Sequence, residues 1–370
     1  MEAWEIVLCN QQRPRGDEST DADWEPLLAK LKRWVSQKPD SITARVALAD
    51  AYMNYAWKAR GTEYGDRVAE EGWRQFEERV KLAETTLGEA KVLNGKCPEW
   101  YSAMLTVAQA EGWSKQETLA LFQRAIAFEP AYDYYYREYA LYLLPQWYGE
   151  EGEAQEFAKT ISAQIGGKLG SIIYFEIARE LRCDCVAQMS WTKIQEGYAT
   201  IEELYGTSNE RINQLAYLAT RMQDADVAER MFARIGENWD KGTWNSKRYF
   251  DQCKMWASEL AAYSRITKQV QSKVDANLQT PAGRQYDAQI AKEFPNKFTE
   301  VMKQCVASAG GDLGGSDLFL QLGSAGSVRQ WLLDPSTTVG ECLLSSLRSS
   351  SFTPPPSPDY WVKVSMNIGQ

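Results

Sequence analysis

The sequence contains no histidine. Histidine is the general base of Ser–His–Asp and Cys–His catalysis and a common ligand of catalytic zinc, so these chemistries are excluded. Any reaction would have to use carboxylates, lysine, tyrosine or cysteine. The sequence carries no motif for such a reaction, and we expect a non-catalytic protein without a metal ion or cofactor.

Long basic runs and long apolar runs are also missing. The formal net charge is −9 and the pI is about 5.0, which argues against a nucleic-acid partner. No segment stays apolar for about 18 residues, so no transmembrane segment is predicted. The first residues include acids and lack the basic region of a secretory signal peptide, which predicts a cytoplasmic protein.

Large aromatic side chains are plentiful, with 14 tryptophans and 19 tyrosines. The segment 117–152 concentrates them around a helix, a proline stop and a second helix. Phe122 and Ala125 are three residues apart and share a helix face, and Pro130 ends that helix. A large residue, a small residue and a closing proline at this spacing are typical of a tetratricopeptide repeat.

A second copy of the pattern begins at Asn209, with large and small residues at the intervals of a repeat of about 34 residues. The sequence therefore predicts a mainly α-helical fold of tetratricopeptide-like stacked hairpins, an α-solenoid, over residues 24–267. A polar N-terminal arm at 1–23 precedes it. The repeat positions of the second copy are Leu215, Ala216, Ala219, Ala228, Phe232 and Ile235.

The composition changes after the helical region. Residues 268–297 are more polar and are predicted to form a helix-containing linker. Residues 298–370 are predicted to form a small α/β module that follows the order helix, β-hairpin, helix and strand. Ser336 or Thr338 is expected to cap its second helix, and Tyr360 to begin its last strand.

The aromatic residues of the helical region have two interpretations. They line a concave groove, where tyrosine and tryptophan would anchor an extended partner, or they fill the core between helices. For any single ring, packing in the core is the commoner outcome. The candidates for a ligand groove are Trp57, Arg60, Tyr134, Tyr135, Tyr139, Trp147 and Tyr148.

Acidic pairs and a glycine-rich segment offer further possibilities. The glutamate pairs 70–71, 150–151 and 202–203 could supply the acid and base of a glycosidase, although neighbouring helical residues point in different directions. Residues 310–315 are rich in glycine but lack the Lys-Ser/Thr of a phosphate-binding loop, so a flexible turn is predicted.

Three runs in the helical region are distinctive: 55–61 (YAWKARG), 71–73 (EGW) and 144–149 (LPQWYG). With them, residues 24–265 resemble tetratricopeptide-type helical proteins of bacteria, and in particular an uncharacterised family of that architecture. The resemblance implies a fold but no activity, because the family has none established.

The C-terminal module contains Gly326-Ser327-Val328, a helix with Cys342 and Leu347, and Phe352 followed by Pro354-Pro355. With these features it resembles the C-terminal domain of TonB-like proteins. It departs from them because it has neither a long proline-rich spacer nor a Tyr-Pro pair at its start. The resemblance implies an alternative periplasmic location, in which Cys305 and Cys342 could form a disulfide instead of remaining two free thiols.

The leading hypothesis is a non-catalytic scaffold that binds an unknown protein or peptide in the concave face of a helical repeat. One alternative is a carbohydrate-active or carbohydrate-binding helical protein that uses tryptophan, tyrosine and paired carboxylates. A second alternative is a TonB-like component that couples parts of the cell envelope.

Overall fold

A computed structural model describes residues 20–61, 65–93, 97–181, 184–309 and 314–366. Within these residues the protein is mainly helical, with fifteen α-helices and one three-stranded antiparallel sheet near the C-terminus. This confirms the predicted helical majority and the small C-terminal sheet. None of the described helices combines the length and apolar character needed to cross a bilayer.

The chain divides into two compact units. The first consists of Met1–Asp224 with Met231–Asn245, and the second of Ala225–Arg230 with Ser246–Gln370. The predicted arm at 1–23 lies outside the described residues up to position 19, and the first helix begins at Asp21. The change of unit near residue 246 falls earlier than the predicted boundary after residue 267.

Helices α1 to α12 succeed one another through the first unit, although α11 extends over both. Short 3-10 turns at Gly65–Arg67 and Asp184–Gln188 separate some of them. The helices are α1 Asp21–Gln37, α2 Ile42–Arg60, α3 Glu70–Ala90, α4 Pro98–Glu111, α5 Lys115–Phe128, α6 Tyr134–Tyr142, α7 Glu153–Ile165, α8 Gly167–Leu181, α9 Trp191–Tyr205, α10 Asn209–Arg221, α11 Ala225–Ile235 and α12 Lys241–Trp244.

Helix ends coincide with local sequence signals. The Ser114 hydroxyl accepts from the Glu117 N–H while the Glu117 carboxylate accepts from the Ser114 N–H, and this capping box starts α5. Pro98 occupies the first turn of α4, where a missing N–H costs nothing. Gly112 ends α4 with φ of 70°, a left-handed conformation that glycine adopts without strain.

Helices α2, α4, α6 and α8 each contact both the next helix and the next but one. Helix α4 packs on α5 and on α6, and α6 packs on α7 and on α8. The even-numbered helices α2, α4, α6, α8 and α10 are thus consecutive neighbours. Phe122, Ala125, Leu215, Ala216 and Ala219, which the repeat pattern selected, are all buried.

The second unit begins with two long helices, and here the structure corrects the sequence prediction. A single helix, α13 (Lys247–Leu278), runs across residue 267, where the helical domain was predicted to end and the linker to begin. Its last turns do not form a linker, because Val270 and Val274 pack against Phe319 and Trp361 of the sheet. These apolar residues, four apart, lie on one face of the helix and hold its last turns against the sheet.

Helix α14 (Pro281–Ser308) also begins well before the predicted start at Phe298. Tyr286, Ile290, Phe294 and Phe298 follow one another at intervals of four, so they form one apolar stripe that is buried in the core of the second unit. The interval 281–297 is therefore helical and packs on the core through this stripe.

The sheet consists of β1 (Ser316–Leu322), β2 (Val328–Asp334) and β3 (Tyr360–Met366), in the order β2-β1-β3. Helix α15 (Thr338–Leu347) connects β2 to β3, and the Thr337 side chain caps it instead of Ser336 or Thr338. A disulfide joins Cys305 of α14 to Cys342 of α15, with 5.7 Å between their Cα atoms. The glycine-rich segment 310–313 lies outside the described residues.

Candidate binding site

Three of the groove candidates lie together in an aromatic cluster. Trp147, in the loop after α6, meets Trp57 of α2 edge-on at 5.8 Å between ring centroids. The Arg60 guanidinium lies 5.7 Å from the centroid of Trp57 and 5.4 Å from that of Trp73. Trp57 also packs edge-on against the buried Phe76. The three tryptophan rings are half-buried, and the Arg60 guanidinium occupies the position over Trp57 and Trp73 that a ligand cation would take.

Tyr135 and Tyr139 do not line a groove, and the prediction for these two residues is wrong. They are 0% and 6% exposed, because α6 contacts α4, α5, α7 and α8 and so has most of its sides covered. Tyr139 stacks on Phe122 with 4.6 Å between centroids. The Tyr135 hydroxyl has no hydrogen-bond partner among the described residues, and burial raises its pKa.

Tyr134 and Tyr148 lie nearer the surface but at different places. The exposed Tyr148 stacks on Tyr142 at 4.9 Å, and its hydroxyl donates to the Gln109 carbonyl at 3.0 Å, so it fastens the loop after α6 to α4. Tyr134 is half-buried, and the Arg137 guanidinium lies 4.3 Å from its ring centroid. Tyr134 therefore lies beside a group of charged residues that includes Arg137.

Arg137 links neighbouring even-numbered helices. Its Nε donates to the Glu180 carboxylate at 2.9 Å, and its terminal nitrogen lies 3.5 Å from the Asp133 carboxylate. Arg137, Asp133 and Glu180 keep between 13% and 24% of their side-chain area exposed. The pair thus ties α6 to α8 while remaining accessible from solvent.

Glu176 of α8 is shared by two arginines. It accepts from Arg179, and from the Arg211 Nε at 3.3 Å. Arg179 also reaches the Glu210 carboxylate at 3.4 Å. Only 1% of the Glu176 side chain is exposed, whereas Glu210 is 60% exposed, so the network runs from the interior to the surface.

Together these residues form one patch across four helices, which we term the charged surface. Its six carboxylates outnumber its three guanidinium groups, so it is net acidic. The sequence carries one signal of this patch, since three charged residues, Glu176, Arg179 and Glu180, lie within the otherwise hydrophobic segment 172–181. The charged surface consists of Glu99 of α4, Asp133, Arg137 and Glu138 at α6, Glu176, Arg179 and Glu180 of α8, and Glu210 and Arg211 of α10.

Glu138 is a carboxyl group of the charged surface with a strongly raised pKa. Burial raises its pKa to about 7, and the nearby carboxylates of Glu180 and Glu99 act in the same direction. Arg137 and the Thr106 hydroxyl favour the charged form but do not offset this. Glu138 is half-buried and takes part in no ion pair with the described residues. A carboxyl group shifted in this way is a candidate functional residue.

The glutamate pairs chosen from the sequence lie elsewhere. Glu71 accepts from Arg74, which lowers the Glu71 pKa to about 2, and both side chains are exposed. Glu202 pairs with Arg234, and Glu203 pairs with Lys168. Their carboxylates bind neighbouring cations instead of facing one another, so this geometry does not suit an acid–base pair.

Comparisons with protein-family models, with curated proteins and with solved structures give no match to this chain. The likeness of the helical region to tetratricopeptide-type proteins, and of the C-terminal module to TonB-like proteins, therefore stays a resemblance. In the described part of the chain, no group of three or more cysteine, aspartate and glutamate side chains is arranged to hold a metal ion.

Proposed function

We propose that the first unit is a helical scaffold that binds an extended, basic peptide or protein segment on the charged surface. The observation that carries this proposal is Glu138, a half-buried carboxyl group close to the carboxylates of Glu99 and Glu180. Ionisation of Glu138 costs free energy in that environment. A lysine or arginine side chain of a ligand would remove this cost, so the surface complements a basic partner.

The neighbour relations of the helices support this proposal. Contact with the next helix and the next but one is what stacked helical hairpins produce, and such stacks present alternate helices side by side. Helices α4, α6, α8 and α10 supply the charged surface. An extended segment lying across them would meet new side chains at each hairpin, which is how a tetratricopeptide-like repeat would use this face.

Internal ion pairs would prepare the surface for its ligand. Arg137 holds the Glu180 carboxylate in place, and Arg179 and Arg211 hold that of Glu176. Acceptors that are already oriented lose less conformational freedom on binding. Glu138 and the exposed Glu210 are then the carboxylates best placed to pair with a ligand.

Binding of a fluorescein-labelled hexalysine peptide, followed by fluorescence anisotropy, tests the proposal. We expect saturable binding that Glu138→Gln weakens roughly tenfold, because one charge-assisted hydrogen bond is lost. Glu196→Gln is the matched control, since Glu196 is exposed on α9 outside the charged surface and its substitution changes the net charge equally. Equal weakening by both variants, or equal binding of hexaglutamate, would contradict the proposal.

A second candidate function rests on the same carboxyl group. A glutamic acid with a pKa near 7 beside other carboxylates is the arrangement that glycosidases use for a general acid. This supports a carbohydrate-active protein as the alternative. Release of reducing sugar from a panel of polysaccharides at neutral pH, abolished by Glu138→Gln but not by Glu196→Gln, would favour it over peptide binding. No release from any member of the panel would reject it.

A further inference from the structure

The first unit contains a pocket that is separate from the charged surface. Its volume is about 190 Å³, and it lies among the first turns of α2 and α4 and the C-terminal ends of α3 and α5. Three aromatic rings, three aliphatic side chains, one thiol and two basic side chains surround it. The lining residues are Ile42, Ala90, Lys91, Leu93, Cys97, Trp100, Tyr101, Arg124 and Phe128.

The aromatic walls of the pocket are held in fixed positions. The Trp100 indole N–H donates to the Leu87 carbonyl at 2.8 Å, which sets the plane of the ring. Trp100 and Tyr101 are perpendicular at 5.0 Å between centroids, and Tyr101 lies 5.3 Å from Phe128. A ring that enters the pocket therefore meets edges and faces already in the arrangement that aromatic pairs prefer.

The polar groups at the pocket are unused within the described part of the chain. Lys91 and Arg124 are exposed and form no ion pair there, although the chain has a net charge of −9. The Tyr101 hydroxyl likewise makes no hydrogen bond with a described residue. Two cations and one hydroxyl donor at an aromatic pocket form a charge pattern that an anion completes.

We propose that this pocket binds a small anion that carries one aromatic ring and one carboxylate. The size agrees, because an apolar protein cavity of about 150 Å³ is known to accept benzene. The ring would pack among Trp100, Tyr101 and Phe128, and the carboxylate would pair with Lys91 and Arg124. An inorganic anion would leave the apolar walls wet, and an uncharged ring would leave both cations unpaired.

Cys97 provides an internal reporter of occupancy. It is half-buried, lines the pocket and is not part of a disulfide. Burial raises the pKa of its thiol, and the carboxylates of Glu99 and Asp50 act in the same direction. Alkylation is consequently slow, and a ligand in the pocket slows it further by covering the sulfur.

The test titrates the whole protein with 3-phenylpropanoate by isothermal calorimetry. We expect saturable binding, at least roughly tenfold weaker binding to the Lys91→Gln/Arg124→Gln double variant, and no binding of 3-phenylpropanamide. Lys30→Gln is the control, because Lys30 is exposed on α1 and away from the pocket. A peptide ending in a free phenylalanine carboxylate, compared with its C-terminal amide, distinguishes a chain terminus from a free acid as the source.

Cys97 alkylation gives an independent readout in unsubstituted protein, measured by peptide mass spectrometry after iodoacetamide treatment. We expect 3-phenylpropanoate to slow modification of Cys97 and to leave the buried Cys253 unchanged. No saturation at about 10 mM ligand, or equal affinity in the double variant, would overturn the proposal. An unchanged rate of Cys97 alkylation at saturating ligand would do so as well.

Discussion

The indole of Trp147 meets the indole of Trp57 edge-on at 5.8 Å, although four helices separate the two residues in sequence. Edge-to-face rings attract each other by about 1 kcal/mol beyond the area that they bury. This contact holds the loop after α6 against α2. A double-mutant cycle of Trp57→Ala and Trp147→Ala, measured by urea unfolding, should give a coupling energy of about 1 kcal/mol. Strictly additive losses would show that the rings act separately.

Glu138 should make stability fall as the pH rises. Its pKa is about 7 in the folded protein and the usual value is 4.5, so between these limits the folded state holds a proton that the unfolded chain releases. The stabilisation is complete below about pH 4.5 and is lost as the pH rises through 7. Glu138→Gln should therefore be more stable than the native protein at about pH 8, by about 2 kcal/mol after discounting for solvent screening.

Urea unfolding of both proteins at several pH values measures this difference. The two curves should converge below about pH 4.5, where Glu138 is protonated in both states. A constant difference across the range would mean that Glu138 titrates normally.

Removing the Tyr135 hydroxyl should not weaken the protein. Its oxygen is buried without a partner in the described structure, so Tyr135→Phe removes an unsatisfied polar group and should raise the free energy of unfolding by about 1 kcal/mol. The neighbouring Tyr136 is the matched control, because its hydroxyl donates to the Pro130 carbonyl at 2.8 Å. Tyr136→Phe should lower stability by about 1 kcal/mol. Thermal or urea unfolding that ranks the two variants the other way would contradict this.

Replacing Glu176 should be far more damaging than replacing an exposed glutamate. Glu176→Gln removes the charge that two arginines share in a nearly inaccessible site, and a loss of about 3 kcal/mol is expected. Glu203→Gln breaks an exposed pair with Lys168 at 2.7 Å and should change stability little. Urea unfolding of the two variants makes the comparison, and similar losses in both would refute the buried network.

The disulfide between α14 and α15 should stabilise the second unit selectively. It closes a loop with a sequence separation of 37, for which chain-entropy arguments predict about 3 to 4 kcal/mol. The Cys305→Ser/Cys342→Ser variant should lose protection against hydrogen exchange in β1 and β3, while α4 to α8 keep theirs. Unchanged exchange in the strands would rule the effect out.

A structural feature could be predicted from the sequence where residues close to it in the chain determine it. The capping box at Ser114 and the glycine at 112 act within one turn, so the helix ends near them were predictable. Tyr134 and Tyr135 are adjacent and chemically identical, but one lies beside Arg137 and the other in the core. Which of the two tyrosines is buried depends on how four neighbouring helices pack, and the periodic pattern of the sequence does not specify that packing.

The extent of helix α14 and the raised pKa of Glu138 also depend on contacts with other parts of the chain. Residues 268–297 were predicted as a linker, and yet α14 runs through Pro295 to Ser308 because the stripe from Tyr286 to Phe298 is buried on one side. The four-residue interval of that stripe was visible in the sequence and outweighs the proline. Glu138 could not have been singled out, because Glu99 and Glu180, which raise its pKa, come from other helices.

The absence of histidine gives Glu138 an additional consequence. Most proteins exchange protons near neutrality mainly through imidazole groups, and this chain has none. Glu138, with a pKa of about 7, stands in that range. A cation bound beside Glu138 would favour the ionised carboxylate, so up to one proton would be released into the buffer. Calorimetry in buffers of different ionisation enthalpy would then measure the number of protons released per ligand bound. That number would report whether a cation occupies the charged surface.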